Sequence, residues 1–522
     1  MNTFLDNLPA LLIIVPLIGA FLTPLIGRFV PKLRVPWTLL AVFASAAVAI
    51  TVAIRVLISG PIVYVFGSPA GASAVLDSAG IPIRIIFTID AFGAFMLLSA
   101  ALVSIATILY LTASQKTRSG QPEFYTLFLL LMTGIFGMVS TGDLFNFFVF
   151  LEINSLAAAA MIAYHRKGGI AVEGAIKYAM VNTIGGLMVL LGVGLLYSQY
   201  DTLNMALIAS QIAPNTITIT ALVLFLAALA MKAGSVPFHF ATPDAYSTAP
   251  SGVTALMIVA SQAGLYGIFR ILFTVYNGAF NTLTVGWVVI ILGLMSMIIG
   301  VMMALPQKDV KRLLAYHAVS QTGYMLLGVG VALCVLQDAA AMNAFGMTAL
   351  EGGIFHIFNH AMYKALLFLA VGAVIYRTGV WTISKLGGLG HNMKWTMIFF
   401  LIGALAIAGI PLFNGFASKL MIYESVFAFS PVLSIIAMVV SILTLASFMK
   451  VFHSLFMGPQ QKEYAEVKEA PKLMLIGMAI LTVFVIGLGL FPDLFVNTVI
   501  APAADALVNS NTYISAVLGG AL

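Results

Sequence analysis

Long apolar stretches follow one another along almost the whole chain, and they restrict its fold more than any other feature. Each stretch is near the roughly 20 residues that an α-helix needs to cross a bilayer, where a helix satisfies its own backbone hydrogen bonds. Of the 522 residues, 61% are hydrophobic and 8% are charged, whereas a soluble domain carries about 25% charged residues. The sequence therefore predicts an all-α polytopic membrane protein and excludes a soluble enzyme or a nucleic-acid-binding protein.

The apolar stretches predict about fourteen transmembrane helices with short connections. The spans 83–112 and 345–376 are longer than one crossing needs, so we expect these two helices to be tilted or bent. The start of the chain lacks the basic region of a cleaved signal peptide, so we interpret it as the first spanning helix. The predicted spans are 8–28, 36–58, 83–112, 124–140, 143–164, 175–197, 216–235, 250–275, 284–305, 312–335, 345–376, 395–428, 431–457 and 472–495.

Basic residues cluster in alternate loops, which is the pattern that the positive-inside rule gives for cytoplasmic loops. The loops 59–81 and 198–215 contain no Lys or Arg, and only the loop 236–249 lacks the basic residues expected of it. This alternation predicts an even number of spans, with both termini on the non-cytoplasmic side. The basic loops are those at 28–34, 116–118, 166–177, 308–312, 377–394 and 462–472.

Lys232 interrupts an apolar run that begins near Thr216, and Gly234 and Pro237 then break the helix. A lysine near the centre of a bilayer costs about 2.5–3.5 kcal/mol, so such a residue usually has a function. The break also frees backbone carbonyls in a buried setting. We predict that Lys232 is a protonatable carrier in an ion path, with a lysine that snorkels to the surface as the alternative.

Glu152 lies about ten residues into the fifth predicted helix, which places it near mid-membrane at 1.5 Å per residue. A lone buried carboxylate would be protonated and inert, whereas a lysine on a neighbouring helix would make the pair switchable. Lys232 is the obvious partner, because its own helix offers no carboxylate within four residues. The alternative is a fixed structural salt bridge. Asp143 is predicted to cap this helix.

His356, His360 and Lys364 follow one another at i, i+4 and i+8, which places them on one helix face. A polar stripe of this kind on a hydrophobic helix suits a hydrated proton wire. Metal or haem ligation is the alternative, but an i, i+4 pair cannot supply opposite axial ligands to one haem. Glu351 is close, yet no nearby Cys or carboxylate completes a metal set. We therefore predict no metal and no cofactor in this chain.

Lys419 follows a second helix break, at Pro411 and Gly415. Two interrupted helices, each with a lysine in a corresponding part of the two halves, indicate an internal repeat. The match is imperfect, because Lys232 precedes its break and Lys419 follows its own. Glu424 is either a local partner of Lys419 or a marker of the helix end.

The remaining polar features are assigned no part in an ion path. His317, Lys311 and Arg312 open the tenth predicted helix and are interpreted as lying at its cytoplasmic edge. The segment 460–472 is interpreted as a solvated loop, and the tail after Pro502 is assigned no function. The single cysteine excludes an internal disulfide and a Cys-ligated iron–sulfur cluster within the chain. No nucleotide-binding motif or Ser/His/Asp set appears, so we predict no redox or hydrolytic site.

Four motifs resemble the antiporter-like membrane subunits shared by respiratory complex I, Mrp-type sodium/proton antiporters and membrane-bound hydrogenases. They occur in the order of that family and fall between about residues 85 and 455. The amino-acid sequence around Glu152 is most similar to that of the D-type subunit of Mrp antiporters and its hydrogenase relatives. The motifs are TGDLFNFFVFLE, MKAGSVPFHFATPDAY, QKDVKRLLAYHAVSQTGYM and FHIFNHAMYKALLFL.

The resemblance implies fourteen helices, among which the fourth to eighth and the ninth to thirteenth form two inverted five-helix repeats with helices 7 and 12 broken. The chain would then divide into 1–112, 124–275, 284–457 and 472–522. By motif position, the family's proton-translocating residues correspond to the Glu152–Lys232 pair, the central connection of His356, His360 and Lys364, and the terminal lysine Lys419.

One position departs from the family pattern. The family usually has a lysine or histidine on the eighth helix, where this chain has Gln262. A glutamine can hold water but cannot carry a proton charge. Either His239 or water replaces the missing group, or the path between Lys232 and His356 is partly interrupted.

The sequence and the resemblance together predict a proton- or sodium/proton-translocating subunit of a multisubunit complex in the cell membrane. That complex is either an Mrp-type antiporter or a redox-driven complex, such as a hydrogenase or a complex I-like NADH dehydrogenase. Other antiporter-like and small membrane subunits, membrane lipid and, for a redox complex, iron–sulfur subunits are the expected partners. The alternative is a stand-alone secondary transporter of a small solute, although no polar substrate pocket is evident beyond the line of lysines and histidines.

Overall fold

The computed structural model describes residues 5–66, 85–115, 121–164 and 169–519. The basic residues predicted at 116–118 and at 166–167, and the outermost residues of both termini, lie outside the described residues. Within them, twelve helical segments are long and apolar enough to cross a membrane. The protein is therefore a mostly helical, polytopic membrane protein, as the apolar stretches predict.

Nineteen α-helices are numbered here in chain order. Most of them are long spans, and two short helices, α7 and α9, follow the long helices α6 and α8. The helices are α1 Leu8–Phe29, α2 Arg34–Ser59, α3 Ala91–Ser114, α4 Gln121–Ser140, α5 Leu144–Ile162, α6 Gly169–Tyr200, α7 Met205–Gln211, α8 Thr216–Ala233, α9 Ala241–Thr248, α10 Ser251–Phe269, α11 Thr282–Ala304, α12 Val310–Cys334, α13 Met347–Thr378, α14 Lys394–Ala408, α15 Asn414–Phe429, α16 Pro431–Phe456, α17 Lys472–Leu490, α18 Ala501–Val508 and α19 Ser510–Leu518.

Two predicted spans are helical but are not among those twelve segments. The span 312–335 corresponds to α12, which has 25 residues and a high content of polar side chains. The span 395–428 is divided into α14, with 15 residues, and α15, with 16 residues. Neither is among the twelve apolar segments, because α12 is rich in polar residues and the span 395–428 is interrupted between α14 and α15.

A small hairpin replaces the start of the third predicted span. Residues Ile86–Ile89 form strand β2, which pairs antiparallel with strand β1, Ile62–Val65. The prediction of helix from residue 83 was therefore wrong, because a short buried apolar run is equally compatible with a strand. Asp90 ends the strand and caps α3, accepting a hydrogen bond from the Gly93 backbone nitrogen at 2.9 Å.

Both breaks in the spanning helices begin at a glycine with a left-handed backbone. Gly234, at the end of α8, has φ 68°, and Gly409, at the end of α14, has φ 79°. Glycine adopts this conformation without the steric penalty of a Cβ atom. The predicted break at Gly234 and Pro237 is therefore present. The second break covers Gly409 to Phe413, which includes the predicted Pro411 but not Gly415, the second residue of α15. Each break leaves the last carbonyls of its helix available to side chains.

Helix α13 lies at the centre of the molecule. It packs against α10, α12, α14, α15 and α17, and its side chains from Ala349 to Val374 are almost all buried. Helices at the periphery expose large apolar residues such as Ile291 of α11 and Ile442 of α16, as expected for surfaces that face lipid. The polar side chains of α13 are therefore shielded on every side by other helices.

Two segments without a predicted role pack into the structure. In the stretch interpreted as a solvated loop, Glu469 accepts hydrogen bonds from the Trp395 backbone nitrogen at 2.8 Å and from Thr396 Oγ1 at 2.6 Å. A carboxylate at this place stabilises the start of α14. In the tail, α18 and α19 form, and Tyr513 of α19 is buried. Most of the segment 460–472 is exposed, as a solvated loop would be, but Glu469 and the buried Tyr464 also attach it to neighbouring residues.

Candidate functional site

Lys232 and Glu152 meet between α8 and α5. Lys232 lies in the last turn of α8, and its Nζ atom is 3.3 Å from Glu152 Oε1. The same ammonium donates a hydrogen bond to Ser155 Oγ at 2.6 Å, one turn beyond Glu152 on α5. The lysine side chain is 6% exposed and the glutamate side chain is 24% exposed. The contact that the sequence left open is present, and it excludes a lysine that snorkels to the surface.

Two glycines provide space for this ion pair. A Cβ atom on Gly186 of α6 would overlap Glu152 Oε1, and one on Gly264 of α10 would lie 3.1 Å from the Lys232 Cβ. Beside the pair, a cavity of about 10 Å³ is lined by the polar residues Asn154, Ser155, Asn182 and Lys232, among others. A polar cavity of this size holds about one water molecule. The lysine therefore has both a carboxylate and a hydratable space beside it.

Gln262 connects α10 to the central helix α13. Its Nε2 atom lies 2.8 Å from the backbone oxygen of Ile357 and 2.9 Å from His360 Nδ1. Since the amide N–H donates, a neutral His360 accepts at Nδ1 and carries its proton on Nε2. Gln262 therefore lies between the Lys232 region and the histidines, although its amide holds no transferable charge.

His239, the alternative to water in place of the missing eighth-helix group, lies outside α10. It lies in the break after α8, where its ring stacks on Phe240 at 5.0 Å. Partial burial lowers the pKa of His239 below its usual value. Among the described residues, no hydrogen bond joins His239 to Lys232, Gln262 or His360.

The stripe of His356, His360 and Lys364 is buried inside the molecule. His356 Nδ1 is 2.9 Å from Ser418 Oγ, and His356 Nε2 is 3.1 Å from Gln321 Oε1. The stripe therefore contacts both α12 and α15.

Lys364 Nζ has a different environment within the same stripe. It has no hydrogen-bond partner within the described part of the chain, and it lies 5.5 Å from the centre of the Phe448 ring.

Lys419 lies on α15, beside the second helix break. Its Nζ atom donates hydrogen bonds to the backbone oxygen of Ile407 at 2.7 Å and to Ser441 Oγ at 3.0 Å. The Ile407 carbonyl is available because α14 ends at Gly409. Glu424 is exposed, so it is not a buried partner of Lys419 and belongs with the helix end. Lys419 is therefore held by dipoles and not by a carboxylate.

Several residues that join these groups were not singled out from the sequence. Gln321 lies within one of the quoted motifs and Ser418 is the neighbour of Lys419, so their positions were the available signals. Ser155 and Ser441 carry no such signal, because hydroxyl side chains are common in membrane helices. Their partners lie on other helices, which only the fold brings together.

A second buried ion pair was also missed. Arg270 Nη1 lies 2.7 Å from Asp90 Oδ2, and Arg270 Nη2 lies 2.6 Å from Asp90 Oδ1. The guanidinium also stacks on the Tyr513 ring at 4.8 Å. An arginine inside the predicted apolar span 250–275 was the signal for this pair.

His317, which the sequence places at the cytoplasmic edge, is buried between helices. It is 0% exposed, and its Nε2 atom is 2.8 Å from Ser447 Oγ on α16. The edge is occupied instead by Arg312, which pairs with Asp244 of α9 at 3.0 Å. Asp244 also pairs with Lys177 of α6 at 3.0 Å. Basic side chains from α6 and α12 therefore pair with the segment 236–249, which contains no Lys or Arg of its own.

Within the described residues, no group of three or more His, Cys, Asp or Glu side chains has the arrangement of a metal site. What the arrangement offers is a succession of proton-binding groups separated by hydroxyl and amide side chains. That a cofactor is lacking in this chain stays a prediction.

Comparisons with known proteins identify relatives of this arrangement. The family described as "NADH:quinone oxidoreductase/Mrp antiporter, TM" matches residues 141–444. The N-type subunit of the NADH-quinone oxidoreductase of Desulforudis audaxviator is 34% identical over 526 residues, covering 95% of this chain and 98% of that protein. The D-type subunit of the Na⁺/H⁺ antiporter of Alkalihalophilus pseudofirmus is 31% identical, covering 84% of this chain and 86% of that protein.

A chain in the structure of the Mrp complex from Dietzia sp. superimposes with a TM-score of 0.84 at 28% identity, covering 98% of this chain and 99% of that one. The match of the family extends over more than half of the chain and includes Glu152, Lys232, His356 and Lys419. The chain belongs to the transmembrane family shared by NADH:quinone oxidoreductases and Mrp antiporters.

Proposed function

We propose that protons cross this subunit along a line of side chains that runs from Glu152 and Lys232 through Gln262 to the stripe of His356, His360 and Lys364 on α13, and on to Lys419. Family membership supports an ion-translocating membrane subunit of a multisubunit complex. The observation that carries the proposal is that the proton-binding groups are held by contacts between neighbouring helices, with a gap between Lys232 and Gln262. These contacts join Lys232 of α8 to Glu152 and Ser155 of α5, Gln262 of α10 to His360 of α13, and His356 of α13 to Ser418 of α15.

The Glu152–Lys232 pair is the switch in this scheme. The single Glu152–Lys232 contact of 3.3 Å can break without the loss of other hydrogen bonds, because Ser155 still holds the lysine. Moving one charge across 100 mV costs about 2.3 kcal/mol. A change of two pKa units corresponds to about 2.7 kcal/mol, so a protonation switch of this size is large enough to couple to a membrane potential.

Proton transfer from Lys232 to His360 is the slowest step of the proposed path. Gln262 provides hydrogen-bonding atoms there but no site for a charge, so a proton must cross this distance through water. The polar cavity beside Lys232 supports hydration of its first part.

Lys419 is the terminal group, which exchanges protons with one aqueous face. The Ile407 carbonyl and Ser441 hydroxyl stabilise its charge but cannot accept its proton permanently. Such a site suits release, because no carboxylate among the described residues pairs with Lys419 and retains the proton.

The complete architecture that we propose has fourteen crossings. The polar helix α12 and the interrupted pair α14–α15 would join the twelve apolar segments. The ranges 124–275 and 284–457 would then be two inverted repeats, between an N-terminal unit 1–112 and a C-terminal unit 472–522. The left-handed glycines that begin both breaks support this division, and the alternation of basic loops supports non-cytoplasmic termini.

The complex in which the subunit works is either an Mrp-like antiporter or a redox-driven complex, with other membrane subunits as partners. Its relatives include an antiporter subunit and a quinone oxidoreductase subunit, and the comparisons give no support to a stand-alone solute transporter. Assay of the purified native complex for iron, sulfide and nickel separates the two. Metal-rich partners favour the redox complex, and a metal-free complex favours the antiporter and its exchange of sodium for protons.

Lys232→Ala tests the proton path in the assembled complex. We expect proton transport into membrane vesicles to be abolished while the subunit remains in the complex. Lys450→Ala is the matched control, because Lys450 is exposed and its ammonium donates to the backbone oxygen of Leu305. Normal transport by an assembled Lys232→Ala complex would refute the proposal.

A further inference from the structure

We propose that His317 is a further proton-carrying residue, which connects Lys364 to the basic edge of the molecule through the contact between α12 and α16. This inference rests on the proposed function, since it adds a branch to the same line of groups. It assigns a role to His317, a buried group outside the path from Lys232 to Lys419, and gives Lys364 of that path a second connection.

The position of His317 is the first support for a branch. It lies seven residues after Val310, the first residue of α12, which places it about 10 Å inside the helix. Its Nε2 atom is hydrogen-bonded to Ser447, whereas its Nδ1 atom has no partner among the described residues. Buried polar atoms normally have a partner. An imidazole with one anchored and one open nitrogen is suited to accept a proton on one side and release it on the other.

Phe448 brings His317 and Lys364 to one place. The His317 ring lies 4.8 Å from the Phe448 ring between centroids, and Lys364 Nζ lies 5.5 Å from the same ring. Both groups are buried, and each has a nitrogen without a partner in the described part of the chain. One or two bridging waters would satisfy both nitrogens and complete the connection.

The two ends of the branch differ in exposure. Lys364 is one helical turn from His360 and therefore joins the central stripe. In the other direction, α12 begins near Lys311 and Arg312, of which Arg312 is 43% exposed. The branch therefore leads from the centre of the molecule to its basic surface.

The positive charges near His317 disfavour its permanent protonation and favour a proton that is held by His317 and Lys364 in turn. Within the described residues, the charged groups with an electrostatic effect on His317 are Lys364 and Lys419. Like charges repel, so His317 and Lys364 are suited to hold one proton in turn. A purely structural histidine, which only ties α12 to α16 through Ser447, would not need a lysine beside it.

Substitution of His317 in the complete complex distinguishes a proton carrier from a structural contact. His317→Gln keeps a hydrogen-bonding group for Ser447 but cannot carry a proton, and His317→Ala opens a space of imidazole size. Because the proposed branch connects the line to the basic edge, transport should depend on it, and we expect both variants to assemble and to transport protons at least tenfold more slowly than wild type. Added imidazole should restore transport in His317→Ala but not in His317→Gln, where the space is filled.

Ser447→Ala is the matched control, because it removes the same hydrogen bond and leaves the imidazole. We expect it to keep at least a third of the wild-type rate. A wild-type rate in His317→Gln would overturn the inference. So would an equal loss in Ser447→Ala together with no rescue of His317→Ala by imidazole.

The same vesicles separate a failure of this branch from a failure of the main path. If Lys232→Ala and Lys419→Ala stop transport while His317→Gln does not, the branch is refuted and the path stands. If none of these variants changes transport, both proposals are refuted.

Discussion

Two ion pairs within the described residues lie between transmembrane helices and join a cation to a carboxylate, but their contact geometries differ. Arg270 and Asp90 are joined by two hydrogen bonds of 2.7 and 2.6 Å, and both side chains are 2% exposed. Lys232 and Glu152 share one contact of 3.3 Å, and the glutamate is 24% exposed. One pair is closed on all sides, and the other lies beside a polar cavity.

This difference distinguishes a structural pair from a switchable one. A guanidinium cannot lose its proton and binds a carboxylate with fixed, planar geometry, whereas an ammonium is a point charge that readily releases a proton when buried. Tyr266 also holds the guanidinium through its hydroxyl at 3.1 Å. Burial of a charge therefore does not by itself indicate transport. The number of contacts and the kind of cation distinguish a structural pair from a switchable one.

Asp90→Asn should produce the largest change in stability. It leaves the Arg270 charge buried without a counter-charge, which costs about 3–5 kcal/mol in other proteins. We expect a corresponding fall in the free energy of unfolding and less subunit in the membrane. Measurement of the thermal stability and amount of the solubilised complex tests this.

The double variant Asp90→Asn, Arg270→Met is the control for that prediction. Removing both charges should recover much of the stability, because buried pairs are often replaceable by apolar groups. A double variant no more stable than Asp90→Asn would contradict the interpretation of the pair as an electrostatic clamp.

Glu152→Gln should change transport far more than stability. Lys232 can release its proton when the carboxylate is lost, so the stability cost should be about 1 kcal/mol, the size of one hydrogen bond. Transport should fall at least tenfold, which corresponds to about 1.4 kcal/mol in a rate. Proton uptake by vesicles with matched subunit content measures it. A strongly destabilised but fully active variant would make this pair structural as well.

The sequence predicts the apolar spans and the residues of the proton line because both depend on local pattern. Lys232 and Lys419 stand out as charges in apolar runs, and each break is visible as Gly and Pro. The partners of these groups depend on helix packing. Ser441 reaches Lys419 from a different helix, and Glu469 reaches the start of α14 from 73 residues away, so no local pattern indicates either contact.

The errors have equally specific causes. The segment Ile86–Ile89 is a buried apolar run, which periodicity cannot assign to a strand or a helix. His317 was interpreted as an edge residue because its neighbours Lys311 and Arg312 are basic, but it lies about two turns into α12, where neighbouring helices bury it. Position along the sequence therefore does not predict burial in a helix whose start is itself packed against α9.

Tyr513→Leu should weaken the Asp90–Arg270 pair from the side that α19 covers. The Tyr513 ring stacks on the guanidinium at 4.8 Å, and a desolvated contact of this kind contributes about 1–2 kcal/mol. Tyr513→Phe keeps the ring and should be much closer to wild type. Thermal stability of the two variants checks this, and transport per assembled complex should be unchanged. Equal stability of the two variants would show that the C-terminal tail does not stabilise the Asp90–Arg270 pair through the Tyr513 ring.

Ser155→Ala should have the smallest effect, and on transport only. Ser155 accepts a hydrogen bond from Lys232 at 2.6 Å, and one such bond contributes about 1 kcal/mol, or about fivefold in a rate. Ser155→Thr keeps the hydroxyl and should retain the wild-type rate. The carboxylate remains in both variants, so the lysine keeps its counter-charge and the complex should assemble normally. If Ser155→Ala lowered transport as much as Glu152→Gln, the hydroxyl and not the carboxylate would control the lysine, and the contrast between the two ion pairs would lose its basis.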